Sequence, residues 1–329
     1  MTVRQTVLAA AATMLLLPEP AGAQGTSEQP PDPAPTFRSS VDVVSVAAVV
    51  RDRKGRFVSD LSRDDFTVVE AGTPRPIIGF EAEQNGPVKL AVLFDISGSM
   101  RVGRRASDAR AAARHLFSAL RPGDQAALFS FDTQLDRVHG FTSDFATLES
   151  AIEHVQPPFG QTSLYDAIAD TARAAAEAAS SGGGRLTQRA AVVVLTDGVD
   201  TKSRLTAGQV SGIASSIDVP IYVLAVMSAV DHPDRQETGS PGAEVGSALL
   251  SLSQWTGGDL FIASAPAHAS LAARQIVAEL RQQYLLAFEA SPKPGWKPLE
   301  IRTRGRNLVV RARSGYIAGG SRMQSDGSR

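Results

Sequence analysis

The sequence contains no cysteine. This excludes disulfides, thiolate metal sites, cysteine nucleophiles and lipid attachment through a thiol, so any metal ligands must be oxygen or histidine. Net charge is missing too. Lys and Arg number 33 against 34 Asp and Glu, a formal charge of −1, which offers no bulk attraction to nucleic acid or anionic membrane. Beyond the N-terminus no stretch reaches the roughly 18 consecutive apolar residues that a membrane span needs. The 5 histidines form no H-x-x-x-H pair, no serine occupies a G-x-S-x-G elbow and no G-x-x-x-x-G-K-[ST] loop is present. Zinc-peptidase, serine-hydrolase and nucleotide-hydrolysis chemistry therefore lack their residues. What is present is ordinary globular composition, 43% hydrophobic and 20% charged over 329 residues, enough for two domains or one large one.

Arg4, the apolar run Val7–Leu17 and the small-x-small triplet Ala21-Gly22-Ala23 predict a secretory signal over 1–23, cleaved before Gln24. An ordinary N-terminal helix is the alternative, but no polar face interrupts the run and Pro18 and Pro20 end it. An exported protein, periplasmic or secreted, with no transmembrane segment in the mature chain, is expected. Residues 24–36 are a Pro-rich linker, 37–86 a β segment and 319–329 a polar tail. From Val88 the chain alternates apolar strands with Ala-rich helices up to Gln282, predicting an α/β domain over 87–282 built on a doubly wound, mostly parallel sheet. A second β segment spans 283–318, in the runs YLLAFEA, PLEIRTR and LVVRARSGYIA. Neither β flank is long enough to bury a core alone, so the two are expected to pack as one small sandwich with the α/β domain inserted between them.

In open α/β sheets, ligands bind beyond the carboxyl ends of the strands. Three such places carry oxygen side chains: Asp95-Ile96-Ser97-Gly98-Ser99-Met100, Gly160-Gln161-Thr162-Ser163 and Asp197-Gly198. Asp95, Ser97 and Ser99 alternate along an extended loop, so they can face one side, and Thr162 and Asp197 can meet them from neighbouring loops. Hydroxyls with only two carboxylates suit a hard divalent cation such as Mg²⁺ and leave it electrophilic toward an outside carboxylate. Each piece has a plainer explanation: Ser, Asp and Thr cap helices, and Asp-Gly makes turns. Asp166 reads as a favourable first-turn acid of its helix, and Asp200 as a loop residue outside the metal shell. The polar segment Met227–Glu244 follows a strand and should share the face of the three loops.

The combination Asp95-x-Ser97-x-Ser99, Thr162 and Asp197-Gly198 resembles the metal-ion-dependent adhesion site of von Willebrand factor type A domains. Arg121-Pro122-Gly123-Asp124 before a strand, Thr162-Ser163-Leu164-Tyr165-Asp166-Ala167 and Leu195-Thr196-Asp197-Gly198 fit the same family, over about Val88 to Gln282. The flanks, with Val49–Val58, Leu61–Glu70 and Val309–Ile317, resemble a bacterial exported group of VWFA-related domain proteins. The resemblance implies Ser97, Ser99 and Thr162 as hydroxyl ligands of Mg²⁺ (Mn²⁺ or Ca²⁺ as alternatives), with Asp95 and Asp197 bonding directly or through water. It implies a binding module with no catalytic residue, whose partner is a protein presenting an Asp or Glu and not a nucleic acid. A metal-dependent hydrolase using the same ion, or a structural protein of cell-envelope assembly, are the alternatives.

Overall fold

Val88–Asp95 (β5) is apolar and buried almost throughout because it is covered on both faces: Leu90, Val92 and Phe94 point into one core, Ala91 and Leu93 into another. Such a strand must lie inside a sheet sandwiched between helices. In the computed structural model, which describes residues 42–82, 86–155, 160–180, 189–226, 241–305 and 307–318 (for 241–245 the backbone only), β5 occupies an inner position of a six-stranded sheet. Its neighbours are β6 (Gln125–Phe131) and β8 (Arg189–Thr196), followed outward on the β8 side by β9 (Ile221–Val226) and β10 (Leu260–Ala263), all parallel. Helices α1 (Arg105–Ser118), α2 (Phe145–His154) and α6 (Pro266–Arg281) supply the first core. Helices α3 (Leu164–Ser180), α4 (Ala207–Ser216) and α5 (Pro241–Thr256) supply the second. The doubly wound, mostly parallel α/β architecture is therefore present.

One strand of that sheet departs from expectation. β7 (Leu135–Thr142) pairs antiparallel with β6 at the sheet edge and carries Asp136, Arg137, His139 and Gly140, so its sequence shows no clean alternation. Charged residues on an exposed edge discourage pairing with other chains, and the same charges hide the strand from its pattern.

The flanking segments form two antiparallel four-stranded sheets. One has the order β13-β1-β11-β4, from Leu308–Ala312, Val43–Asp52, Gln283–Glu289 and Ile77–Glu81; the other has the order β14-β12-β2-β3, from Gly315–Ala318, Gly295–Thr303, Phe66–Glu70 and Thr73–Arg75. Val46, Val50, Leu286 and Phe288 of the first share a core with Phe66, Val68, Ile301 and Tyr316 of the second, so strands from both flanks face each other as a sandwich. One detail differs from the sequence reading: LVVRARSGYIA is two strands in different sheets. The chain leaves the first sheet at Arg313, whose guanidinium donates to the carbonyls of Ser215 and Ser45, and enters the second at Gly315. A Cβ at Gly315 would lie 2.3 Å from the Trp296 ring, so only glycine fits there.

The predicted signal over 1–23, the linker over 24–36, the tail over 319–329 and most of the Met227–Glu244 segment lie outside the described residues. Among the described residues no helix is long and apolar enough to cross a membrane.

Candidate metal-ion site

The carboxyl ends of β5 and β8 lie side by side, and the loops that leave them build the site. Asp95 ends β5 and is fully buried. One of its oxygens accepts from the Ser97 backbone N–H at 2.8 Å, which bends the chain into the serine loop; the other accepts from the Thr196 hydroxyl at 2.6 Å, which ties β5 to β8. The Thr196 hydroxyl in turn accepts from the Gly198 N–H at 2.9 Å, shaping the turn that presents Asp197. Gly198 adopts φ 92°, a conformation that favours glycine. Burial pushes the Asp95 carboxyl up to about 6 against the pull of its hydrogen bonds, and the nearby charge of Asp197 adds to the rise.

The serine hydroxyls are not helix caps. Ser97 precedes a short 3₁₀ turn, Gly98–Arg101, without a side-chain cap bond, and α1 starts later, after Arg104. Instead the Ser97 and Ser99 hydroxyl oxygens lie 3.0 Å apart, on the same side of the loop. Fully buried Met100 anchors the loop in the first core. The Gly98 N–H donates to the Gly160 carbonyl at 3.1 Å, bringing the threonine loop alongside.

Thr162 is likewise relieved of a capping role. The first free N–H groups of α3 are taken by the neighbouring loop: Leu164 donates to Asp200 at 2.8 Å and Tyr165 to the Ser203 hydroxyl at 2.9 Å. Thr162 itself is 3% exposed, donates its N–H to the Thr201 hydroxyl at 2.8 Å and accepts through its carbonyl from Thr201 and Lys202. Its loop is thus joined by backbone to both aspartate loops, though its side chain makes no hydrogen bond with the other four candidates. Asp166, read as structural, accepts from the N–H groups of Arg204 and Leu205 and holds the connection to α4.

Asp197 completes the set in an unexpected way. Its Oδ2 accepts from Arg105 Nη1 at 2.9 Å, while Oδ1 is buried and has no hydrogen-bond partner. A buried, partnerless carboxylate oxygen beside a second buried carboxylate is costly unless a cation compensates it. Among the described residues no group of three or more His, Cys, Asp or Glu side chains could hold a metal, so a metal here must use the hydroxyls as well. The paired serine oxygens, Thr162, Asp95 and the free oxygen of Asp197 fit the oxygen preference of a hard divalent ion. Thr196 and Arg105 escaped the sequence reading, although a polar residue closing the apolar strand AAVVVLT was a usable signal for Thr196.

Residues 90–199, which hold all five candidates, match the family model of the von Willebrand factor type A domain. Over these residues the chain is a von Willebrand factor type A domain. Among solved structures, BatB from Bacteroides thetaiotaomicron aligns at 17% identity and TM-score 0.46, over 59% of this chain and 98% of that one. A von Willebrand factor type A protein from Catenulispora acidiphila aligns at 13% identity and TM-score 0.47, over 87% of this chain and 76% of that one. Proximal thread matrix protein 1 of the mussel byssus, with a zinc-occupied MIDAS motif, aligns at 19% identity and TM-score 0.45, over 64% of this chain and 49% of that one. Curated proteins include no match.

Proposed function

We propose that the type A domain is a metal-dependent binding module that captures an acidic side chain of a protein partner. Ser97, Ser99 and Thr162 would hold the ion through hydroxyls, and Asp95 and Asp197 would hold it directly or through water. A bound divalent ion supplies a Lewis-acidic position that an outside carboxylate can complete. Thr196 fixes the Asp95 carboxylate, the Gly98–Gly160 bond holds the serine and threonine loops in register, and buried Met100 stiffens the serine loop. The observation that carries the reading is the partnerless Asp197 oxygen among buried oxygen donors.

Binding is favoured over hydrolysis because the two carboxylates among the five candidates, Asp95 and Asp197, are both assigned to the ion, which leaves none of that set to act as a separate base. Mg²⁺ is the ion proposed, with Mn²⁺ or Ca²⁺ as alternatives. The N-terminal signal pattern supports export to a periplasm or beyond. We take 87–282 as the binding unit and 37–86 with 283–318 as the domain that carries it.

The test is a pull-down from envelope and secreted extracts in Mg²⁺ and in EDTA, using the wild-type protein and the Ser97→Ala/Ser99→Ala variant. That variant removes two hydroxyls and no buried charge, so it should fold. A partner recovered only with metal and intact serines is the expected result, and mutating the partner's acidic residue should release it. Identical partners in every sample refute the reading.

A further inference from the structure

Arg105 stands where a metal-binding carboxylate would not be expected to keep a cation. It is the first residue of α1, and a single nitrogen, Nη1, donates both to Asp197 Oδ2 at 2.9 Å and to the Ser99 carbonyl at 3.1 Å. The side chains are 17% and 4% exposed, so the pair is shielded from solvent. Arg105 therefore clips the serine loop to the Asp197 loop while occupying one oxygen of the carboxylate whose other oxygen is free. A guanidinium keeps its charge throughout the physiological range.

Two consequences follow for an ion that settles among these oxygens. Asp95 and Asp197 together offer two negative charges, and Arg105 returns one positive charge, so the site is less negative than its carboxylates alone make it. An arriving divalent ion must also share Asp197 with a like charge at ion-pair range. Both effects weaken the hold on the ion and leave the occupied site more positive toward an outside anion.

We propose that Arg105 is a resident competitor cation: it sets the divalent-ion affinity of the site low and stabilises the metal-free form by neutralising Asp197. This rests on the metal-binding reading above and adds a residue outside the ligand set. It makes metal loading depend on the surrounding ion concentration and couples it to arrival of an anionic partner, which favours the ion-filled state.

Isothermal titration of full-length protein with Mg²⁺ and Mn²⁺ tests it, using wild type, Arg105→Gln, Arg105→Lys and the Ser97→Ala/Ser99→Ala variant, with thermal melts in EDTA and in excess metal. Arg105→Gln should bind Mg²⁺ about tenfold more tightly, melt lower than wild type in EDTA, and gain more from added metal. Arg105→Lys keeps the charge and should stay within about threefold of wild type. A purely structural role for Arg105 would not raise affinity, so unchanged or weaker binding in Arg105→Gln overturns the proposal while leaving the metal site standing. Failure of all four proteins to bind either ion overturns the metal reading and this proposal together.

Discussion

A buried ionic cluster joins helix α6 to the β-sandwich, and it makes an asymmetric prediction. Glu279 on α6 has a fully buried side chain; Arg51 of β1 donates to one of its oxygens at 2.6 Å, and Arg311 of β13 donates to the other. Arg311 also reaches Asp259 at 2.5 Å, and Arg51 reaches the Gly55 carbonyl at 2.7 Å. The two arginine side chains remain 24% and 22% exposed. Losing the glutamate charge thus leaves cations that keep other partners and some water, whereas losing both arginines strands a buried carboxylate with no compensating charge and only the long 3.3 Å bond from the Gln275 amide. Stranding a buried charge costs about 3–5 kcal/mol, and removing a charged acceptor whose donors can hydrate costs about 1–3 kcal/mol. Arg51→Met/Arg311→Met should therefore destabilise by about 3–5 kcal/mol and Glu279→Gln by clearly less. Adding Glu279→Gln to the double variant should restore part of the loss, because the stranded charge is gone. Urea unfolding at pH 7, with m-values compared to confirm two-state behaviour, measures all four. If Glu279→Gln costs as much as the double arginine variant, or the triple variant is the least stable, the cluster is not organised around a buried carboxylate.

Glu70, 1% exposed in the sandwich, is desolvated in a way that would raise its pKa, yet hydrogen bonds from Tyr316, the Ser291 N–H and Arg75 together hold its carboxyl below the ordinary value. A depressed folded-state pKa contributes stability above the unfolded pKa that is lost as pH falls through the folded one. The sandwich should thus weaken from about pH 4.5 downward, and Glu70→Gln should flatten that part of a stability-versus-pH curve; an unchanged slope would exonerate Glu70. Glycine substitutions should split by position: a Cβ at Gly258 would lie 2.0 Å from the Ile221 carbonyl oxygen, whereas one at Gly212, mid-helix in α4, meets only the Ile317 side chain at 3.9 Å. Gly258→Ala should cost several kcal/mol or prevent folding, as backbone clashes do, and Gly212→Ala should stabilise by about 0.5–1 kcal/mol; melting temperatures that move together would contradict this geometry. Thr196→Val should cost about 1–3 kcal/mol by stripping Asp95 and Gly198 of their shared hydroxyl, and should weaken the Mg²⁺-induced rise in melting temperature, whereas an undiminished rise would mean that Asp95 needs no such support.

The strands and helices that carry the site were legible because burial on both faces demands unbroken apolar runs: β5, β8 and β9 are hydrophobic nearly end to end, and α3 repeats alanine along its inner side. The oxygen residues at the ends of β5 and β8 stand out against that background. What was not legible depends on partners distant in sequence. β7 hides behind charges suited to an edge, and the break at Arg313 reflects two carbonyls, Ser45 and Ser215, that a linear pattern cannot bring near it. Arg105 is the instructive case. α1 begins at Arg105 with Arg104 as its N-cap, two consecutive arginines at the helix end where the backbone dipole disfavours positive charge. Helix physics alone would place an acid there, and the residue that breaks the rule is the one that reaches Asp197. Local rules are most often broken where function or strain compensates. The misplaced charge at the start of α1 was thus the one sequence signal for a cation built into the metal-binding loops, beside a motif that by itself describes only the oxygens.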